Sequence, residues 1–123
     1  RNVMKILLVE DDEFVRTLLQ EQMTSEGFDV RSESTVDDAI VALAQDQYDL
    51  VISDVVLPDK DGVQLMKYIK ESDCGIPVLA ITGGIENAAE DYANYADFYA
   101  DETMMKPLAK DDLLKTIERL TGN

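Results

Sequence analysis

The chain has 123 residues, enough for one domain with a real core. Apolar residues make up 46%, which excludes compositional disorder. A net charge of −15 disfavours nonspecific contact with DNA, RNA or an anionic membrane surface. Cys74 is the single cysteine, so no internal disulfide forms, and a reducing, cytoplasmic setting is the expectation. The chain has no histidine, which excludes His-based catalysis or His metal ligation. No apolar stretch approaches membrane-spanning length and no signal peptide is visible. Residues 1–3 read as an N-terminal extension or an expression remnant, and the domain is expected over 4–121.

In chain order, Met4 to Val9 predicts a first strand that delivers Glu10 and Asp11 at its end. Asp12 to Glu26 predicts a helix with Phe14, Val15, Leu18, Leu19 and Met23 on one apolar stripe, stopped by Gly27. Phe28 to Arg31 is a short second strand. Ser34 or Thr35 caps a second helix that turns Val36, Ala39, Ile40 and Leu43 inward. Leu50-Val51-Ile52-Ser53 is a third strand ending in Asp54. Asp59-Lys60-Asp61-Gly62 is turn chemistry, and Val63, Leu65, Met66 and Ile69 mark a third helix. Val78-Leu79-Ala80-Ile81 is a fourth strand ending in Thr82-Gly83-Gly84, followed by a helix at roughly 88–99. In that helix Tyr92, Tyr95, Phe98 and Tyr99 are spaced for packing. Thr103-Met104-Met105 is a fifth strand, with both methionines expected to pack, and it leads into Lys106-Pro107. The final helix starts at Lys110-Asp111-Asp112 and carries Leu113, Leu114, Ile117 and Leu120 inward.

Five strand–helix units in this length predict a single α/β domain, a doubly wound parallel sheet with five flanking helices. The flavodoxin-like strand order 2-1-3-4-5 makes the first and third strands neighbours, so Glu10, Asp11 and Asp54 converge at the carboxyl edge where such sheets bind ligands. Converging carboxylates suit a hard divalent cation. Charge favoured at a helix N-terminus accounts for Asp12 and Glu13, but it leaves Asp54, on another strand, unexplained.

The motifs Leu7-Leu8-Val9-Glu10-Asp11-Asp12, Ser53-Asp54-Val55-Val56-Leu57-Pro58-Asp59-Lys60-Asp61-Gly62, Ile81-Thr82-Gly83 and Lys106-Pro107-Leu108 occur in order, each at a strand end. The sequence resembles the receiver domain of two-component response regulators along essentially its whole length. The resemblance implies that Asp54 is the phosphoacceptor. It implies Mg²⁺ (or Mn²⁺) held by Asp11, Asp54 and the Val56 backbone carbonyl, with Glu10 acting through water. It also implies phosphoryl contacts from Thr82, Gly83 and Lys106, with the Lys106-Pro107 bond cis. The implied partners are a sensor histidine kinase or histidine phosphotransfer protein, and a downstream protein that meets the face made by the fourth helix, fifth strand and fifth helix. The domain itself then binds neither nucleic acid nor membrane. It would be a bacterial-type signalling switch rather than a substrate-turnover enzyme.

Three departures from the family pattern stand out. Thr103 occupies the usual aromatic switch position. The stretch from Thr82 to Lys106 is about two residues longer than the common form and opens on a Thr-Gly-Gly loop, expected to be less ordered without phosphate. Val56 and Gly84 replace polar side chains near the attacking water.

Three alternatives use parts of this pattern. An intermediate in a phosphate relay needs the same residues. A haloacid-dehalogenase-like phosphatase wants an acid two residues after its nucleophile, where this chain has Val56. A flavodoxin-type carrier wants a hydroxyl- and glycine-rich loop after the first strand, where Glu10-Asp11-Asp12 would repel phosphate.

Overall fold

The structure, a computed structural model, describes residues 3–72, 74–83, 96 and 99–122. The elements are β1 (Lys5–Val9), α1 (Glu13–Thr24), β2 (Asp29–Glu33), α2 (Val36–Gln45), β3 (Leu50–Asp54), α3 (Gly62–Glu71), β4 (Val78–Thr82), β5 (Glu102–Met105) and α4 (Lys110–Thr121). The five strands form one sheet in the order β2-β1-β3-β4-β5, and every pairing is parallel. The expected doubly wound architecture is therefore present. The expected helix at 88–99, its tyrosines and phenylalanine before residue 99, and the order of the loop from Gly84 lie outside the described residues. Within that stretch Ala96 is buried, and its carbonyl accepts a bond from Ala100 N–H at 2.6 Å.

Strand alternation divides the core. Leu7, Val9, Val51 and Ala80 face one way and pack with Val36, Ala39 and Ala42 of α2 and Leu65, Met66 and Ile69 of α3. Ile6, Leu8, Leu50, Ile52, Leu79 and Ile81 face the other way, onto Leu19 and Met23 of α1 and Leu113 and Ile117 of α4. With both faces covered, the strand segments 6–9, 50–52 and 78–81 carry no polar side chain, as central parallel strands do. Glycine closes α1 where predicted: Gly27 sits at φ +95°, a left-handed position that suits a residue without Cβ.

Two packing expectations require correction. Phe14 and Leu18 do not belong to the buried stripe of α1; they are 76% and 42% exposed. Val15, Leu19 and Met23 repeat every four residues and make the buried line. Phe14 and Leu18 lie one residue further round the helix, about 100° away, beyond the reach of the sheet. Met105 is likewise exposed, because the period of two that turns Met104 onto the core turns Met105 away from it.

The caps link neighbouring elements. Asp12, Thr35 and Asp61 accept from Val15, Asp38 and Val63 N–H groups at the starts of α1, α2 and α3. Asp59 reaches further: its two carboxylate oxygens accept from Val36 and Asp37 N–H, each at 3.0 Å. Lys60 Nζ reinforces this by pairing with Asp37 at 2.6 Å. The loop after β3 is thereby tied to the N-terminus of α2. Asp59→Ala is expected to lower the Tm by roughly 3–5 °C, the scale of a lost cap in a domain of this size. A thermal melt by circular dichroism reads it.

Candidate functional site

β1 and β3 run side by side, Val9 opposite Ser53. The residues just past their ends therefore share one edge of the sheet. Glu10 remains tied to the sheet through its N–H to the Glu33 carbonyl at 3.0 Å, then the chain turns into α1. Glu10 is fully buried, Asp54 nearly so, and Asp11 is exposed. One carboxylate oxygen from each of the three lies within 4.8 Å of the others. Such a cluster offers hard oxygen ligands with one face open to solvent, the donor chemistry that suits Mg²⁺ or Mn²⁺.

Lys106 supplies the counter-charge. It follows β5, and its N–H donates to the Thr82 carbonyl at 2.8 Å, which aligns the ends of β4 and β5. Its ammonium stands 2.6 Å from Glu10 Oε1 and 2.6 Å from Asp54 Oδ2. Burial alone would lower the Lys106 pKa, but its bonds and charge contacts with Asp54 and Glu10 outweigh that and hold it above the ordinary lysine value. Glu10 moves the other way from a usual ion-paired acid. Burial pushes its carboxyl up, and the Lys106 ammonium and the Asp12 N–H offset this only in part, with the Asp54 charge adding to the rise. One ammonium thus serves two carboxylates, and the cluster keeps an excess of negative charge.

The Asp54 carboxylate is oriented by two contacts. Oδ2 takes the ammonium, and Oδ1 accepts the Val56 N–H at 3.1 Å. Val56 also bridges Asp61, and the Gly62 N–H donates to the Val55 carbonyl at 2.8 Å, so the loop returns tightly under β3. The Val56 side chain is exposed and apolar at the site mouth, with nothing to serve as an acid there. Thr82 is buried at the tip of β4 beside Met105 in register. Among the described residues the space around Gly83 is open, since a Cβ built there meets none of them within 4 Å. Thr103 pairs with Ala80 in register and is partly buried, and the Lys106-Pro107 bond is cis.

The structure thus brings Glu10, Asp11, Asp54, Thr82 and Lys106 to one sheet edge. It adds one residue that the sequence reading passed over. Arg16, one turn into α1, donates from Nη1 to the Glu10 carbonyl at 2.9 Å and the Asp11 carbonyl at 3.2 Å. The available signal was its position four residues after the helix-capping Asp12, the spacing at which a side chain reaches back over the preceding turn.

Comparison with known proteins agrees with this geometry. Residues 6–118 match the family described as response regulator receiver domain. The transcriptional regulatory protein GltR of Pseudomonas aeruginosa is 35% identical over 97% of this chain and 49% of its own length. The DNA-binding transcriptional regulator NtrC of Proteus hauseri is 34% identical over 93% of this chain and 24% of its own. The chain spans about half the length of the first curated relatives it matches. Among solved structures, the signal receiver domain of an HD domain-containing protein from Pseudomonas fluorescens superposes with a TM-score of 0.90 at 22% identity, covering 99% of this chain and 89% of that one. The signal receiver domain of a signal transduction histidine kinase from Syntrophus aciditrophicus gives 0.87 at 25% identity, covering 98% and 91%. This chain belongs to the response regulator receiver domain family of two-component signalling.

Proposed function

We propose that residues 4–121 form a phosphorylation switch in which Asp54 accepts a phosphoryl group from a phosphohistidine on a sensor kinase or phosphotransfer protein. The observation that carries this reading is the Lys106 ammonium, 2.6 Å from both Glu10 and Asp54 in a cluster of three acids. An ammonium at that point can hold Asp54 now and a phosphoryl oxygen later.

Transfer breaks the donor's N–P bond and forms an O–P bond to Asp54, with the histidine leaving as imidazole. The chemistry is chiefly positioning and charge stabilisation, which these residues can supply. The Val56 N–H fixes the Asp54 carboxylate, leaving little rotation to lose on reaction. Lys106 receives charge that builds on the phosphoryl oxygens. The Thr82 hydroxyl binds one of those oxygens once the acyl phosphate forms, and open space at Gly83 leaves room for the group.

Asp11, Asp54 and the Val56 carbonyl would hold Mg²⁺ directly and Glu10 would do so through water; the excess negative charge of the cluster fits a divalent cation. When bound, that ion neutralises the pocket and helps hold the phosphoryl oxygens.

The chain then acts as an acceptor in signalling, without turnover of a substrate of its own. Output passes to a protein partner over the face of β5, α4 and the segment between β4 and β5. Thr103 leaves that route without the aromatic switch common in the family. No described helix is long and apolar enough to cross a membrane, and a cytoplasmic setting follows from the role.

Incubation with acetyl phosphate and Mg²⁺, read by intact-protein mass spectrometry, tests the assignment. The wild type gains one phosphoryl group and Asp54→Asn gains none. Equal labelling of the variant rules out Asp54 as acceptor.

A further inference from the structure

We propose that Arg16 is a positioning residue for the cation site, acting through the backbone that carries Asp11. The inference rests on the cation reading above and extends it to a residue that touches none of the three carboxylates in the cluster.

Asp11 is the exposed member of the acid triad, so burial does little to hold its side chain in one direction. Its orientation depends on the peptide units on either side. Glu10 N–H still belongs to the sheet, donating to the Glu33 carbonyl, and Asp12 already caps α1 through Val15 N–H. The turn between them is tied in two ways. Asp12 N–H donates to Glu10 Oε2 at 3.0 Å, and a single Arg16 nitrogen holds the carbonyls of Glu10 and Asp11 at 2.9 and 3.2 Å. Two successive carbonyls aimed at one donor fix both peptide planes flanking the Asp11 Cα. Arg16 is itself anchored, because its N–H makes the first helical bond to the Asp12 carbonyl at 2.9 Å. The guanidinium therefore works as a brace between a rigid helix and the ligand-bearing turn.

Magnesium tolerates little error in ligand placement. Groups that orient ligands from behind typically account for 10–100-fold in metal affinity. Charge alone predicts the opposite sign. A guanidinium close to the cluster repels a divalent cation, and its removal would tighten binding. The two roles are therefore separable by direction.

Isothermal titration of Mg²⁺ into wild type, Arg16→Ala and Arg16→Lys tests the proposal. Arg16→Ala is expected to bind about 10-fold more weakly, with part of the affinity recovered by Arg16→Lys, which restores a donor. In chelator, the Asp12 amide of Arg16→Ala is expected to exchange with deuterium several-fold faster than in wild type. Unchanged or tighter Mg²⁺ binding by Arg16→Ala, or unchanged exchange at Asp12, overturns the brace. Should Arg16→Ala fail to fold, Arg16→Met keeps the packing of the stem and removes every donor, and wild-type affinity in that variant overturns the proposal equally. A wild type with no measurable Mg²⁺ affinity removes the cation reading and this inference together. A wild type that binds alongside a variant that binds as well removes this inference alone.

Discussion

Gly62→Ala is expected to unfold at a lower urea concentration than the wild type by roughly 1.5 M, a loss of about 3 kcal/mol, at the upper end of what overpacking usually costs. The reason is a close approach of two backbones. Gly62 begins α3, and a Cβ at that position would stand 2.1 Å from the Asp54 carbonyl oxygen, 2.7 Å from the Val55 carbonyl oxygen and 3.0 Å from the Val55 carbonyl carbon. No flexible side chain is available to yield, so β3 and α3 must separate. They are joined there by the Gly62 N–H to Val55 carbonyl bond, and Asp54 is the last residue of β3. The same substitution therefore displaces Asp54, the proposed acceptor, and is expected to slow phosphorylation by acetyl phosphate in the fraction that stays folded. Gly83→Ala is the control, because a Cβ there meets nothing within 4 Å among the described residues, and its urea midpoint should match the wild type. A Gly62→Ala midpoint equal to that of the control would mean that α3 does not start this close to β3.

How far the sequence discloses such features depends on whether they are written locally. The strands were legible because apolar runs of three or four residues stop abruptly at Glu10, Ser53-Asp54 and Thr82, and the order of alternating units then requires the first and third strands to be neighbours. That adjacency alone brings the acid triad together. Local caps at Asp12 and Thr35 were legible for the same reason, being contacts of three residues' separation, whereas Asp61, read as turn chemistry, also caps α3. The rotation of α1 was not. Phe14 and Leu18 fit an apolar stripe as well as Val15 and Leu19 do, and only the position of the helix over the sheet decides which pair is covered. Asp59 looked like a turn residue and is one, yet its carboxylate also closes the N-terminus of α2, 22 and 23 residues away in the chain. Arg16 escaped notice because it contacts carbonyl oxygens, which every residue has and no sequence pattern marks.

The charge balance at the site sets the second large effect. Lys106→Ala is expected to cost about 3 kcal/mol at neutral pH, the low end for removing one partner of a buried ion pair, since the lysine side chain is 23% exposed. Glu10 and Asp54 would then share a buried pocket with no cation. Burial already raises the Glu10 carboxyl, and loss of the Lys106 ammonium that offsets this raises it further, which opens a window between the ordinary value of 4.5 and the raised folded value. The folded variant then binds more protons than the unfolded chain throughout that window. Its stability falls as pH rises through the window and recovers as pH is lowered toward about 5. In the wild type Glu10 already lies above its ordinary value through burial, so a slope of the same sign but smaller size is expected. Lys106 adds a separate contribution, complete below its ordinary pKa near 10.5 and lost only as pH climbs through its raised folded value. Urea midpoints across this range distinguish a charge effect from lost packing of the lysine stem, which would give a deficit independent of pH. Mg²⁺ sharpens the test. An ion that replaces the missing positive charge raises the midpoint of Lys106→Ala by more than it raises that of the wild type, and equal shifts would place the ion away from Glu10 and Asp54.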